Sequence, residues 1–248
     1  MTGEKERLEA LDLKAMDLAG QLAAFDGDPA LARNRWAHRT LGVVLAGGQS
    51  SRMGGQDKAL IEIDGETMLS HCAARLQPQV GKIVVSGHDG DERFGANWDV
   101  VADLLPDHAG PLSGILSAMR WAEANAPEVF WIASVAVDTP FFPDTLVDRF
   151  IMAMGGPEPA IVLAQSGERV HPTFGLWPIA LADSLEAFLA SGERKTRLWA
   201  ESQTCSHAHF SGQMIDDIEI DPFFNVNEPD DVPVAEAIAS GLKEQTEG

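Results

Sequence analysis

The chain has 248 residues, of which 45% are apolar and 23% are charged, as in ordinary folded proteins. Its net charge of −20 argues against a general nucleic-acid binder and against a basic membrane-surface protein, because both need an excess of cations. Two cysteines, no apolar run of about 20 residues and no apolar leader predict a cytoplasmic protein without disulfides or a membrane span.

The first 40 residues differ in pattern from the rest. Apolar side chains recur at alternating steps of three and four between Leu8 and Phe25, which predicts one amphipathic helix. This helix either packs on its own domain or forms a dimer contact, and both alternatives stay open. We therefore divide the chain into an N-terminal helical extension at 1–40, a main domain at 41–240 and a polar tail at 241–248.

From residue 41 onward, apolar strands alternate with helices. The expected strands lie at 41–45, 59–63, 82–86, 98–102, 129–137, 160–165 and 173–177, and the expected helices at 67–76, 112–125, 143–154 and 178–190. Strands that are apolar almost throughout are typical of a sheet covered on both faces. The sequence therefore predicts an α/β, Rossmann-like fold with a mostly parallel sheet and helices on both faces. The acidic residues of 216–248 indicate a solvated face.

A glycine-rich polar loop at 46–58 follows directly after the strand at 41–45. Ligands of parallel sheets bind beyond the carboxyl ends of strands, and glycines let backbone N–H groups approach phosphate oxygens. Arg52 and Lys58 supply the cations that a triphosphate needs. The loop matches neither the P-loop nor the dinucleotide fingerprint, and the alternative to a phosphate site is a flexible loop of small residues.

The segment 45–58 (LAGGQSSRMGGQDK) resembles the opening loop of the nucleotidyltransferases that activate sugars, terpenoid precursors and molybdopterin. It is most similar to the molybdenum cofactor guanylyltransferases. Four further stretches agree with that family in order and spacing, and they lie at 110–114, 137–140, 167–173 and 224–230. The resemblance covers roughly residues 41–240. Gly47-Gly48 and Asn225-Val-Asn227 favour the guanylyl branch over the cytidylyl branch.

The resemblance implies a fold of the nucleotide-diphospho-sugar transferase type and a specific reaction. GMP would pass from GTP to the phosphate of molybdenum-molybdopterin, and pyrophosphate would leave. Arg52, Lys58 and Asp138 would be catalytic, with Mg²⁺ held by Asp138, since Mg²⁺ prefers one or two carboxylates together with substrate phosphates. The implied nucleotide-binding residues are Leu45, Ala46, Gly47, Gly48, Lys58, Ser86, Asp103, Gly110 and Asp138.

Three of these assignments have alternatives. Asp138 and Asp103 each follow an expected strand, where an aspartate also serves as a turn residue or a helix cap. Ser86 stands where the guanylyl family often has asparagine, and one hydroxyl replaces an amide that offers both a donor and an acceptor. Guanine would then be read by backbone groups of Leu45 to Gly47.

The acceptor site is expected on a cationic patch in an otherwise acidic chain. A phosphorylated pterin needs such a patch, and two asparagines two positions apart share one face of an extended segment. The alternatives are a solvated turn for the cations and turn chemistry before Pro229 for the asparagines. The residues concerned are Arg169, His171, Arg194, Lys195 and Arg197, together with Asn225 and Asn227.

Two other functions remain open at this level. One is a molybdopterin cytidylyltransferase or another nucleotidyltransferase, and the other is a non-catalytic nucleotide-binding protein of the same fold. Arg52, Lys58 and Asp138 together favour catalysis. The expected partners are GTP, molybdenum-molybdopterin, and molybdoenzyme apoproteins or their chaperones as receivers of the product, with no nucleic acid and no membrane.

Overall fold

A computed structural model describes residues 36–47, 57–87, 92–104, 110–154, 160–215 and 218–247. The helix expected between Leu8 and Phe25 lies outside the described residues, as do Gly48 and Arg52. The described strands are, in chain order, β1 (Thr40–Leu45), β2 (Glu62–Ile63), β3 (Glu66–Thr67), β4 (Lys82–Gly87), β5 (Val100–Ala102), β6 (Trp131–Ala136), β7 (Ile161–Ser166), β8 (Arg169–Pro178), β9 (Cys205–Phe210), β10 (Gln213–Ile215) and β11 (Ile218–Ile220). The described α-helices are α1 (Met68–Leu76), α2 (Pro111–Asn125), α3 (Leu146–Ala153), α4 (Ala182–Ala190), α5 (Thr196–Glu201) and α6 (Asp231–Glu247).

Seven of these strands form one sheet in the order β5-β4-β1-β6-β8-β7-β9. β5, β4, β1 and β6 pair in parallel, as do β7 and β9. β8 runs antiparallel to both of its neighbours, β6 and β7. The prediction of a mostly parallel sheet is thus confirmed, with one reversed strand that follows from the tight β7–β8 turn at Gly167.

The two faces of the sheet bury separate hydrophobic clusters. Leu41 and Val43 of β1 point to the face covered by α2, α4 and α5, whereas Val44 and Ala46 point to the face covered by α1 and α3. This alternation follows from the two-residue period of a strand. Helices on both faces explain why β1 has no polar side chain from Leu41 to Leu45.

A third cluster lies beside the sheet. It joins the hairpins β2–β3 and β10–β11 to α6, and it buries Val226, Ala235 and Ile238. Leu242 packs against the same cluster, so the helix continues through 241–247, where the sequence analysis expected a polar tail. An ion pair between Lys243 and Asp64 joins this helix to the β2–β3 turn.

The strand expected at 59–63 is only partly present. Lys58–Leu60 instead forms a 3-10 turn, because the Asp57 carboxylate accepts the Ala59 N–H at 2.9 Å and caps its start. Extended pairing begins only at Glu62–Ile63. The turn sets the position of Lys58 at the beginning of a hydrogen-bonded element.

The chain order of the strands locates a ligand crevice. In the seven-stranded sheet, β4 pairs with one side of β1 and β5 pairs with β4, whereas β6 pairs with the other side of β1. Ligands of such sheets bind at this reversal, beyond the carboxyl ends of the two strands. The crevice here lies between the ends of β1 and β6. None of the helices in the described part of the chain has the length and apolar character that crossing a membrane requires.

Candidate active site

The ends of β1 and β6 are joined by a backbone hydrogen bond. The Val137 N–H donates to the Leu45 carbonyl at 3.2 Å. This bond sets Ala46 and Gly47, at the start of the glycine-rich loop, beside Asp138. The loop and the aspartate that the sequence analysis assigned to one site are therefore neighbours at the reversal of strand order.

A lysine connects three segments at this edge. The Lys58 ammonium donates to Asp138 Oδ2 at 2.9 Å and to Asn227 Oδ1 at 2.7 Å. The Lys58 and Asp138 side chains are only 20% and 22% exposed, so water screens their attraction less than it would on an open surface. Lys58, Asp138 and Asn227, which we call the Lys58 cluster, bring a cation, a carboxylate and an amide together.

The segment that carries Asn227 is fixed at both ends. The Val226 N–H donates to the Asp138 carbonyl at 2.7 Å. The Asp231 carboxylate, at the start of α6, accepts the N–H groups of Asn227 and Glu228 at 2.8 and 2.9 Å. The amide of Asn227 is therefore held toward Lys58 by backbone contacts rather than by its own side chain alone.

A second group of residues lies at the ends of β1, β4 and β5. Ser86 is 3% exposed, and its hydroxyl donates to Asp103 Oδ1 at 3.3 Å. A Cβ added to Gly47 would lie 3.4 Å from Asp103 Oδ2, and one added to Gly114 would lie 2.4 Å from Ser86 Oγ. Gly47, Ser86, Asp103 and Gly114, which we call the Asp103 cluster, thus lie around one hydrogen bond on the β4–β5 side of the crevice.

The helix α2 begins beside the Asp103 cluster. Gly110 precedes the first turn of α2 and has a φ of +81°, a backbone conformation that residues other than glycine rarely adopt. Its carbonyl accepts the Ser113 N–H at 3.1 Å. Fifteen residues of aligned peptide dipoles place partial positive charge at this end of the helix, which favours a phosphate or another anion nearby.

His171 occupies a closed position. It is 7% exposed, its ring stacks on Phe223 at 4.3 Å, and a 2.7 Å hydrogen bond joins its Nε2 to the Ser166 hydroxyl. Burial lowers the pKa of His171 below its usual value, with the Asp221 carboxylate opposing the shift and Arg169 adding to it. These contacts orient Phe223, which begins the segment leading to Asn225 and Asn227.

The remaining residues expected on the acceptor side do not all lie close to one another. Arg169 is exposed at the start of β8, and Arg194 and Lys195 are exposed in the α4–α5 connection. The Arg194 guanidinium donates to the carbonyls of Leu189 and Glu193 at 2.7 Å, so it caps α4 on the sheet face opposite Phe223. Arg197 pairs with Glu201 at 2.6 Å.

A cleft of about 600 Å³ lies beside the residues that precede Phe223 in the chain. It is bounded by the ends of β7 and β9 and by the β10–β11 hairpin, and its lining includes Gly167, His209, Asp221 and Pro222. Asp221 and Pro222 lead directly into Asn225 and Asn227 along the chain. Asn225 Oδ1 is buried and has no hydrogen-bond partner among the described residues, so it is an unsatisfied acceptor within this segment.

A thiol lies close to the Lys58 cluster, but it is not poised to react. Cys72 is fully buried, and its Sγ is 3.5 Å from the Val137 carbonyl. Burial raises the pKa of the Cys72 thiol, and the negative charge of Asp138 raises it further. The thiol is therefore neutral and serves as packing rather than as a nucleophile.

The donor set at Asp138 fits a hard divalent cation shared with a substrate. No group of three or more histidine, cysteine, aspartate or glutamate side chains converges within the described ranges, so these residues alone do not enclose a metal. Mg²⁺ is commonly held by one or two carboxylates together with phosphate oxygens and waters. Asp138, at the ligand-binding edge of the sheet, provides one such carboxylate.

Reasoning from the sequence missed three features of this edge. Asn227 was assigned to the acceptor site, and the structure adds a hydrogen bond from the Lys58 ammonium to its side-chain oxygen. Gly114 was not singled out, although the motif at 110–114 was recognised, and neither were the hydrogen bonds that the Asp231 carboxylate accepts from the N–H groups of Asn227 and Glu228. The Asp231 carboxylate accepts N–H groups of residues that precede its helix, a contact that helix-start patterns do not signal.

A family model described as the MobA-like NTP transferase domain matches residues 42–207, about two thirds of the chain. The molybdenum cofactor guanylyltransferase of Nitrobacter hamburgensis is 38% identical over 203 residues, which cover 81% of this chain and 95% of that protein. The enzyme of the same name from Rhizobium meliloti is 40% identical over 198 residues, which cover 79% of this chain and 89% of that protein.

Solved structures show the same fold. The molybdopterin-guanine dinucleotide biosynthesis protein A of Archaeoglobus fulgidus matches with a TM-score of 0.61 at 20% identity, over 81% of this chain and 98% of that one. A CMP:2-keto-3-deoxy-manno-octonic acid synthetase complexed with CTP matches with a TM-score of 0.59 at 14% identity, over 82% and 98%. The family match and the sequence relatives, spanning the strands that build the crevice, show that this chain belongs to the MobA-like NTP transferases and, within them, to the molybdenum cofactor guanylyltransferases.

Proposed function

We propose that this chain transfers GMP from GTP to the terminal phosphate of molybdenum-molybdopterin, with the Lys58 cluster at the centre of the reaction. The observation that carries the proposal is the position of Lys58, whose ammonium contacts both Asp138 and Asn227 at the reversal of strand order. The name shared by the sequence relatives supports the choice of reaction.

In this reaction an oxygen of the acceptor phosphate bonds to the α-phosphorus of GTP, and the bond from that phosphorus to the bridging oxygen breaks. Pyrophosphate leaves with the electron pair of that bond. The attacking group is already an anion, so no protein nucleophile or general base is required. The protein then contributes alignment and charge neutralisation, which are the main terms in transfers of this kind.

Lys58 has two roles in the proposal. Before substrate binds, its ammonium is neutralised by Asp138 and held by Asn227. With GTP bound, the ammonium moves to the phosphates and stabilises the charge that develops on the pyrophosphate. Arg52, on the same glycine-rich loop, adds a second cation in this role.

Asp138, released from Lys58, would hold Mg²⁺ together with phosphate oxygens of the nucleotide. The cation would supply further neutralisation of charge at the α-phosphate. The fit of this carboxylate to a hard cation supports the assignment, since it lies at the end of β6 on the crevice.

The nucleotide would extend from the Lys58 cluster toward the Asp103 cluster. Backbone groups of Leu45, Ala46, Gly47 and Gly48 would face it from β1 and the loop, and Gly110 would face it at the start of α2. Ser86 and Asp103 would form the nucleoside end. The hydrogen bond between Ser86 and Asp103 and the closeness of Gly47 to both support this arrangement.

The acceptor would approach from the opposite side, along the segment that contains Asn225 and Asn227. The unpartnered Asn225 oxygen and the neighbouring cleft support this side. His171 would act through its stacking on Phe223, rather than by direct contact. Arg169 would supply positive charge from the β7–β8 turn, with Arg194 and Lys195 at a greater remove across the sheet.

The test is a reaction of purified protein with Mg-GTP and molybdenum-molybdopterin, followed by chromatography of the guanine dinucleotide product and measurement of pyrophosphate. Asp138→Asn is expected to lose on the order of 10²–10³ in rate. Asp183→Asn is the matched control, because Asp183 is 77% exposed on α4 and pairs with Arg120. Product formed from CTP in preference to GTP, or full activity in Asp138→Asn, would contradict the proposal.

A further inference from the structure

The carboxylate of Asp57, which directly precedes Lys58 in the chain, is engaged at both of its oxygens. Oδ1 accepts the Ala59 N–H at 2.9 Å and caps the 3-10 turn that Lys58 begins. Oδ2 forms an ion pair with the Arg93 guanidinium. The Asp57 and Arg93 side chains are only 20% and 28% exposed, so salt screens their attraction weakly. Rotation of this carboxylate would break one contact or the other, and Asp57 is therefore held in one orientation beside Lys58.

Arg93 belongs to a different part of the fold. It lies in a 3-10 turn at Glu92–Phe94, in the connection between β4 and β5, 36 positions from Asp57. Its guanidinium carbon is 4.4 Å from the centre of the Phe94 ring, a cation–π contact that limits its freedom. Phe94 and Ala59 are buried in the same hydrophobic cluster. The ion pair between Arg93 and Asp57 thus joins the Lys58 turn to the β4–β5 connection over a shared apolar base.

The proposed reaction depends on where the Lys58 ammonium can reach. Lysine carries its charge at the end of a long flexible side chain, so its backbone position sets the space that the ammonium covers. In the structure the ammonium contacts Asp138 and Asn227, and the proposed function moves it to the phosphates. A displacement of about 1 Å in a catalytic group can lower a rate about a hundredfold. A firm anchor for the backbone of Lys58 therefore supports the transfer step.

We infer that Arg93 is a positioning residue for the transfer step: through Asp57 it holds the Lys58 turn where the ammonium reaches the departing pyrophosphate. Arg93 acts through Asp57 and Lys58 rather than by contact with the reacting atoms. The inference rests on the proposed function, because it assigns a role to Arg93 only through the role of the Lys58 ammonium.

The test measures kcat and KM for Mg-GTP, with molybdenum-molybdopterin as acceptor. Arg93→Gln removes the cation, and Asp57→Asn removes the anion while keeping an oxygen that can cap Ala59. Each is expected to lower kcat about tenfold and to change KM less than about twofold, because the ammonium is misplaced rather than lost. Arg93→Lys keeps a cation for Asp57 and should stay within about threefold of the wild-type kcat. In Lys58→Met, Arg93→Gln should not lower the remaining kcat further.

Arg120→Gln is the matched control. Arg120 is 25% exposed, close to the value for Arg93, and it pairs at 2.7 Å with both Glu123 on α2 and Asp183 on α4. Its replacement should lower thermal stability and leave kcat unchanged. Circular dichroism of each variant ensures that kcat is compared between folded proteins.

The outcomes separate this inference from the proposed function. A wild type that forms no guanine dinucleotide would contradict both. An active wild type with unchanged kcat in Arg93→Gln and Asp57→Asn would overturn this inference alone. So would a loss in Arg93→Gln that persists in full in the Lys58→Met background, since Arg93 would then act elsewhere. An equal loss in Arg93→Lys and Arg93→Gln would also overturn it, because the charge of the pair would then be irrelevant.

Discussion

Replacing Lys58 with methionine removes the ammonium that bridges Asp138 and Asn227 while keeping an unbranched side chain of similar length. The Asp138 carboxylate is then left 22% exposed without its cation. Breaking a fully buried ion pair costs about 3–5 kcal/mol, whereas an exposed pair is worth about 0.2–1 kcal/mol. With one fifth of each side chain exposed, we expect Lys58→Met to lower the free energy of unfolding by about 2 kcal/mol.

The double variant Lys58→Met/Asp138→Asn removes both charges and leaves no carboxylate uncompensated. Its cost should therefore be smaller than the sum of the two single costs by at least about 1 kcal/mol. Urea unfolding followed by circular dichroism measures all four free energies of the cycle. The pair Lys82 and Asp99 is the control, since it lies 2.8 Å apart with side chains 50% and 58% exposed, and its cycle should show coupling well below that of the Lys58 pair.

The same variants connect stability with catalysis. Each single substitution should reduce kcat on the order of 10²–10³, and the double variant should not be more active than either single one. Additive unfolding costs in the Lys58–Asp138 cycle would refute the reasoning, because they would mean that the contact contributes nothing in solution. Wild-type kcat in Lys58→Met would refute the role of the ammonium.

His171 predicts a pH dependence of stability. Burial in the fold lowers the pKa of His171, whereas in the unfolded chain this side chain protonates near the ordinary value of about 6.5. The contribution of His171 to stability is therefore complete above that pH and declines as the pH falls below it. His171→Phe should flatten the pH dependence of the unfolding free energy between about pH 7 and 5, and an unchanged slope would contradict this. Gly42→Ala would place a Cβ 2.7 Å from Leu76 Cδ2 and overpack α1 against β1. Urea unfolding should then show a loss of about 1–3 kcal/mol of stability. A loss below about 0.5 kcal/mol would contradict this and show that α1 moves away freely.

The central strands and the helix α2 were predictable because local pattern and tertiary position agree there. β1 has no polar side chain from Leu41 to Leu45 and ends at a glycine-rich loop, and α2 shows helical spacing after Gly110-Pro111. The reversed strand β8 was expected only as a strand, since the sequence does not state the direction in which a strand joins a sheet. The helix α6 was missed because its acidic residues outweighed the apolar spacing of Ala235, Ile238 and Leu242.

The candidate site, like the fold, was predictable from the sequence only in part. Lys58, Asp138 and Asp103 were recognisable from their places after strands and turns, and the fold brings them to one edge of the sheet. The contact of Asn227 with Lys58 spans 169 positions along the chain and is supported by the hydrogen bond from the Asn227 N–H to the Asp231 carboxylate, so no local pattern announces it. Pairings of this kind arise from tertiary packing rather than from sequence spacing.

The most direct test of the central claim is calorimetric titration of the purified protein with Mg-GTP and, under identical conditions, with Mg-CTP. The account predicts measurable binding of GTP, clearly weaker binding of CTP, and loss of GTP affinity in Lys58→Met but not in Lys82→Met. Tighter binding of CTP would contradict the assignment of guanine to the Asp103 cluster. Equal GTP affinity in wild type and Lys58→Met would contradict the assignment of the triphosphate to the Lys58 cluster.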